Sequence, residues 1–150
     1  MTGITPDGIR IERLFAALPA AVFEAWTTAA HFARWFGGTE VDIPADQLDY
    51  VPVVGGTWSA TMVLPDGNTI NWTGDFLEIV PNERLVLTMT DDPAAPERAA
   101  ITVEFFAVNG GTRMLFTQQT PGFTTEQREA TIAGWQLFFT ELAAGVEKTH

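Results

Sequence analysis

Thiol chemistry is closed to this chain: its 150 residues include no cysteine, so neither a disulfide nor a thiolate nucleophile is available. A serine or threonine nucleophile needs a histidine beside it, and there are only two to choose from. His150 is the last residue, and His31 sits in a His-Phe-Ala-Arg stretch with no second ligand type four residues on. That spacing provides neither a nucleophile's base nor a zinc site, so His31 is expected to be a partly exposed surface residue. Gly37-Gly38 and Gly55-Gly56 read as turn glycines, not as a phosphate-binding loop leading into a helix. Carboxylates remain for acid-base work. By alternation Glu78 and Glu104 fall on the outward side of their strands, whereas Asp75 follows Gly74, whose bend leaves its side open. No catalytic residue, metal ligand or cofactor is expected.

Two polar residues stand on otherwise apolar faces. Gln118 shares its side of a strand with Met114 and Phe116, where it can orient a ligand carbonyl or hydroxyl, or bond a strand backbone. Arg128 heads the apolar stripe of the last helix. It either guards a pocket mouth and attracts an acidic head group, or lays its stem over apolar surface with its charge in water.

The elements that must carry these residues are legible from periodicity. Residues 9–17 alternate as a first strand, and Pro19 suits the first turn of a short helix bearing Val22, Phe23 and Trp26. Thr27 or Thr28 caps a second helix carrying Phe32, Trp35 and Phe36, which Gly37-Gly38 stops. Residues 39–50, broken at Pro44, give no clear pattern. Hairpin-connected strands follow over 57–64, 69–80, 84–90, 98–108 and 112–120, with an acidic, Pro-rich loop at 91–97. Their turns are marked by Pro65-Asp-Gly-Asn68, by Pro81 in a type I turn, and by Asn109-Gly110. Gly74 suits a bulge or bend.

Thr124, with Gln127 three residues on, then opens a helix reaching about residue 146. Along it Ile132, Trp135, Phe138, Phe139, Leu142 and Val146 form one stripe. Gly134 would let that helix approach its neighbours closely. Leu137, opposite the stripe, either covers nothing or forms a modest self-association patch that would make a homodimer. The only partner for so many large side chains is the concave face of the sheet. A sheet curled round one long helix tends to leave a gap, and such gaps hold apolar ligands.

Placing the bulky alternating sets inward assigns a lining. It comprises Trp35, Phe36, Trp58, Met62, Trp72, Met89, Phe105, Met114, Gln118, Trp135 and Phe139, with Arg128 at the entrance. Aromatics and methionines make an adaptable wall suited to flat or greasy molecules.

Composition bounds the rest. A hydrophobic content of 46% and a charged content of 18% describe one globular domain over residues 1–150. The net charge of −11, with eight scattered basic residues, excludes a nucleic-acid surface and repels an anionic membrane. No apolar run is long enough for membrane insertion, and the first residues lack the basic and apolar regions of a signal peptide. A cytoplasmic location is expected.

The ordered set PAAVFEAW (19–26), HFARWFG (31–37), GGTW (55–58), GDFLEIVPNERL (74–85), GTRM (111–114) and Gly134-Trp135 resembles proteins similar to the activator of the heat-shock-protein ATPase. The match covers nearly the whole chain. That family lies in the START-like (SRPBCC) superfamily, and the resemblance implies an α+β helix-grip fold. In it a curved antiparallel sheet, here of six or seven strands, wraps a long C-terminal helix, with two short helices after strand one. The superfamily includes lipid and steroid carriers, hormone receptors, polyketide cyclases and co-chaperone domains, so the fold alone does not select an activity. The leading expectation is a non-enzymatic binder of a small apolar ligand. The alternatives are a cyclase or aromatase acting on a polyketide-like substrate, which needs a titratable group in the cavity, and a co-chaperone-like module with a chaperone partner.

Overall fold

The computed structural model describes residues 2–39, 41–92, 94 and 99–147. The expectations placed on Arg98, on most of the 91–97 loop and on His150 lie outside them. Among the described residues, eight strands form one antiparallel sheet in the order β1-β2-β8-β7-β6-β5-β4-β3. They are β1 (Gly3–Ile4), β2 (Gly8–Phe15), β3 (Asp49–Tyr50), β4 (Thr57–Val63), β5 (Thr69–Val80), β6 (Arg84–Met89), β7 (Ala99–Val108) and β8 (Gly111–Gln119). The count exceeds the six or seven expected because β1 and β3 are two-residue edge strands, too short to show alternation. Helices α1 (Pro19–Thr27) and α2 (Ala29–Trp35) follow β2, and α3 (Thr125–Glu147) closes the chain. This is the α+β helix-grip arrangement.

Local chemistry sets the helix ends. Thr124 and Gln127 form the capping box: the Thr124 N–H donates to Gln127 Oε1 at 2.8 Å and the Gln127 N–H to Thr124 Oγ1 at 3.1 Å. These satisfy two of the donors that a helix start leaves open. Thr28 occupies the N-cap of α2 without a side-chain cap bond, and the neighbouring Thr27 hydroxyl donates instead to the Phe23 carbonyl within α1. The Pro81 turn is of type II and not type I. Asn82 has a φ of 64°, the Glu83 N–H donates to the Val80 carbonyl at 3.0 Å, and a left-handed third residue defines that type.

The curl of the sheet is concentrated in β5. Its first half pairs with β4 through Asp75, and its second half pairs with β6 from Phe76, with a register shift between Phe76 and Glu78. The bulge therefore falls at Leu77, three residues past Gly74. Gly74 has a different function. A Cβ built there would stand 1.8 Å from the Thr88 carbonyl oxygen and 2.6 Å from the Trp58 indole nitrogen. That close approach lets the Trp58 N–H donate to the Thr88 carbonyl at 2.9 Å.

The core lies between the concave face and the helices. Trp26 is fully buried at its centre, 4.7 Å from Trp35 by ring centroids and about 6 Å from Phe116, Trp135 and Phe139. Phe32 stacks on Phe36 at 4.6 Å and on Tyr50 at 4.7 Å. Such pairs add about 0.5–1.5 kcal/mol each beyond area burial. Tyr50, which alternation left unplaced, donates its hydroxyl to the Trp26 carbonyl. Burial pushes the phenol's pKa well above its ordinary value.

Candidate functional site

Beneath the N-terminal half of α3 the core stops and a cavity of about 360 Å³ begins. Five successive strands each place one residue on its floor: Met62 from β4, Trp72 from β5, Met89 from β6, Ala99 from β7 and Gln118 from β8. Its roof is the α3 face carrying Thr131, Gly134, Trp135 and Phe138, a spacing of three, four and seven residues. Thr90 and Asp91 after β6, with Pro121 and Phe123 before α3, complete the rim. The volume lies in the range of small-molecule pockets.

Of the twelve residues expected to line the site or guard it, Met62, Trp72, Met89, Gln118 and Trp135 stand on this wall. Six others point inward but belong to the filled core: Trp35, Phe36, Trp58, Phe105, Met114 and Phe139 are at most 5% exposed and do not line the cavity. Each meets protein and not space. The Trp35 indole donates to the Ala25 carbonyl at 2.9 Å, and Phe105 meets Phe23 edge-on at 5.7 Å. Arg128 is not among the residues lining the cavity. Its guanidinium donates to the Thr5 carbonyl at 3.3 Å and the Thr120 carbonyl at 3.4 Å, tying the β1–β2 turn and the end of β8 to the start of α3. Phe138, missed as lining although it was on the helix stripe, follows from its place one turn beyond Gly134 and Trp135.

Gly134 also differs from expectation. A Cβ there meets nothing within 4 Å. Its missing side chain widens the cavity and does not permit a close approach.

Gln118 and Trp135 form the polar element of the wall. The Trp135 Nε1–H donates to Gln118 Oε1 at 2.8 Å. Indole can only donate, so the contact fixes which end of the amide faces Trp135. No acceptor among the described residues takes the Gln118 NH₂. Gln118 thus bonds a side chain and not the strand backbone, and it retains two donors. Trp72 shows a related deficit, its indole N–H being sealed from solvent without an acceptor among the described residues.

Carboxylates are sparse here. Glu78 and Glu104 lie on the outer face, where Arg84 bridges them at 3.0 and 3.1 Å. His31 sits near the surface, 3.8 Å from Glu24. Among the described residues no three His, Asp or Glu side chains gather as a metal site, and no helix is long and apolar enough to cross a membrane.

With the sheet, the long helix and the hollow between them described, the chain can be set beside known proteins. The family model for activator of Hsp90 ATPase homolog 1-like proteins aligns with residues 16–147. The chain belongs to that family. Among solved structures, one from Chromobacterium violaceum is 25% identical with a TM-score of 0.82, the alignment covering 95% of this chain and 99% of that one. The AHSA1 protein from Silicibacter pomeroyi is also 25% identical with a TM-score of 0.82, over 94% and 98% of the two chains. A solution structure from Staphylococcus epidermidis, 16% identical with a TM-score of 0.83 over 100% and 95%, shares the fold. No curated protein matches this chain.

Proposed function

We propose that this family member binds a small, flat, largely apolar molecule in the cavity under α3, without transforming it. The observation that carries the reading is the cavity of about 360 Å³ walled by Met62, Met89, Trp72, Trp135 and Phe138. Thioether and aromatic surfaces adapt to ring systems, and a concave apolar wall with few polar groups is how small-molecule sites are built. The cyclase reading needs a titratable group in contact with the substrate. Among the described lining residues Asp91 alone qualifies, and it is exposed at the rim. Binding therefore has more support than catalysis. A panel of aromatic and lipid probes, scored by thermal shift and by native mass spectrometry of the purified protein, tests it. Saturable one-to-one binding that Gly134→Trp abolishes is the expected result. A panel without any stabilisation and a protein carrying no co-purified small molecule would remove the reading, and stimulation of a heat-shock chaperone's ATPase by the same protein would replace it with the co-chaperone alternative.

A further inference from the structure

Resting on that binding site, we infer that the cavity selects uncharged aromatic molecules carrying an acceptor oxygen, such as a ring ketone, over both the plain hydrocarbon and the carboxylate. Two groups on the wall make the choice. The first is the Gln118 amide, whose Oε1 is held by the Trp135 indole at 2.8 Å, leaving the NH₂ as a donor without an acceptor among the described residues. A pocket donor left unmatched by its ligand is desolvated at a cost, so a ligand oxygen that meets it gains against one that lacks it. The second is Asp91, whose exposed carboxylate stands on the rim of a protein with a net charge of −11. It repels an anion approaching the cavity. Arg128, the residue on the α3 stripe that could have drawn in an acid, is engaged with the Thr5 and Thr120 carbonyls instead.

The test uses three matched probes: fluorenone, fluorene, and a fluorenone bearing a ring carboxylate. Affinities are measured by calorimetry in the wild type, Gln118→Glu, Gln118→Leu, Asp91→Asn and Gly134→Trp. Gln118→Glu keeps an oxygen for Trp135 while removing the NH₂, so it changes the donor without orphaning the indole. The ratio of ketone to hydrocarbon affinity is expected to fall roughly three- to tenfold in both Gln118 variants, the return of a single hydrogen bond. The bound ketone's infrared carbonyl stretch, lowered in the wild type, should return toward its unbonded frequency. The carboxylate should bind roughly three- to tenfold more weakly than the ketone at low salt, a gap that salt and Asp91→Asn both narrow. An unchanged ketone-to-hydrocarbon ratio, or a carboxylate that binds as well as the ketone, overturns the selectivity while fluorene binding blocked by Gly134→Trp leaves the site standing. Probes that bind Gly134→Trp undiminished, or that fail to bind the wild type, overturn the site itself and the selectivity with it.

Discussion

The space between the sheet and α3 has two ends that differ in a single respect. Toward the C-terminal half of α3, the helices α1 and α2 fill the hollow with Trp26, Phe32, Trp35 and Phe36, and Phe139 closes on them. Toward its N-terminal half no further element enters among the described residues, and Gly134 leaves the roof one side chain short. Trp135 sits on the border, stacked on Trp26 and Phe139 on one side and donating to Gln118 on the other. The same aromatic-rich chemistry thus yields packed core where a second layer covers it and a cavity where it does not. Composition does not distinguish packed core from cavity here; coverage does.

Substitutions can break or sharpen this contrast. The largest effect is expected at the filled end, where Trp26→Ala removes the ring at the hub of the cluster. It should cost about 3–5 kcal/mol in urea-induced unfolding, as large-to-small aromatic core changes do. A loss below about 1 kcal/mol would mean that the packed end is not what holds the fold. At the open end Gly134→Trp should do the reverse, lowering affinity for an aromatic probe at least tenfold, about 1.4 kcal/mol, while the melting temperature holds or rises. Unfolding of that variant would show that the space is already occupied.

Tyr50→Phe examines the packed end more finely. Losing the bond to the Trp26 carbonyl should cost about 1 kcal/mol near neutral pH. The pH dependence has a definite sign. The folded phenol has a raised pKa, so below the ordinary tyrosine value of about 10 both states hold the proton and stability is unaffected. Above it only the unfolded chain ionises, and stability should fall by about 1.4 kcal/mol per pH unit from this one group. Tyr50 is the sole tyrosine, so phenolate absorbance read during alkaline unfolding reports it alone. The phenylalanine variant should lack this contribution; phenolate appearing before unfolding would contradict the burial. The smallest change is Gly134→Ala, expected to stabilise by about 0.5–1 kcal/mol in thermal melts through helix propensity while leaving probe affinity within about threefold.

Particular residues show where sequence reading stopped. Trp35, Phe36, Trp58, Phe105, Met114 and Phe139 were legible as inward, and they are; alternation and helical spacing report direction. Whether an inward side chain meets another side chain or empty space is a different question. It depends on α1 and α2, which end ninety or more residues before α3 begins, and no local period encodes that distance. Gly134 illustrates the limit from the other side: a glycine in a helix signals either a close neighbour or an absent one, and the sequence looks identical in both cases. Arg128 had two readings in the sequence for a related reason, since its partners are the carbonyls of Thr5 and Thr120, backbone atoms that no residue type announces.

What the order of residues determined by itself is the set of elements: six long strands with a bulky face each, two short helices, and a capped terminal helix of 23 residues. These follow from interactions spanning a few residues, namely capping, turn chemistry and the two side-chain periods. Tertiary structure alone decided where the hollow closes and where it stays open, and which donor of Gln118 is left over. Cavity volume is the difference between a sheet's curvature and the side chains brought to it from distant parts of the chain, and such a difference exists only once all of them are in place.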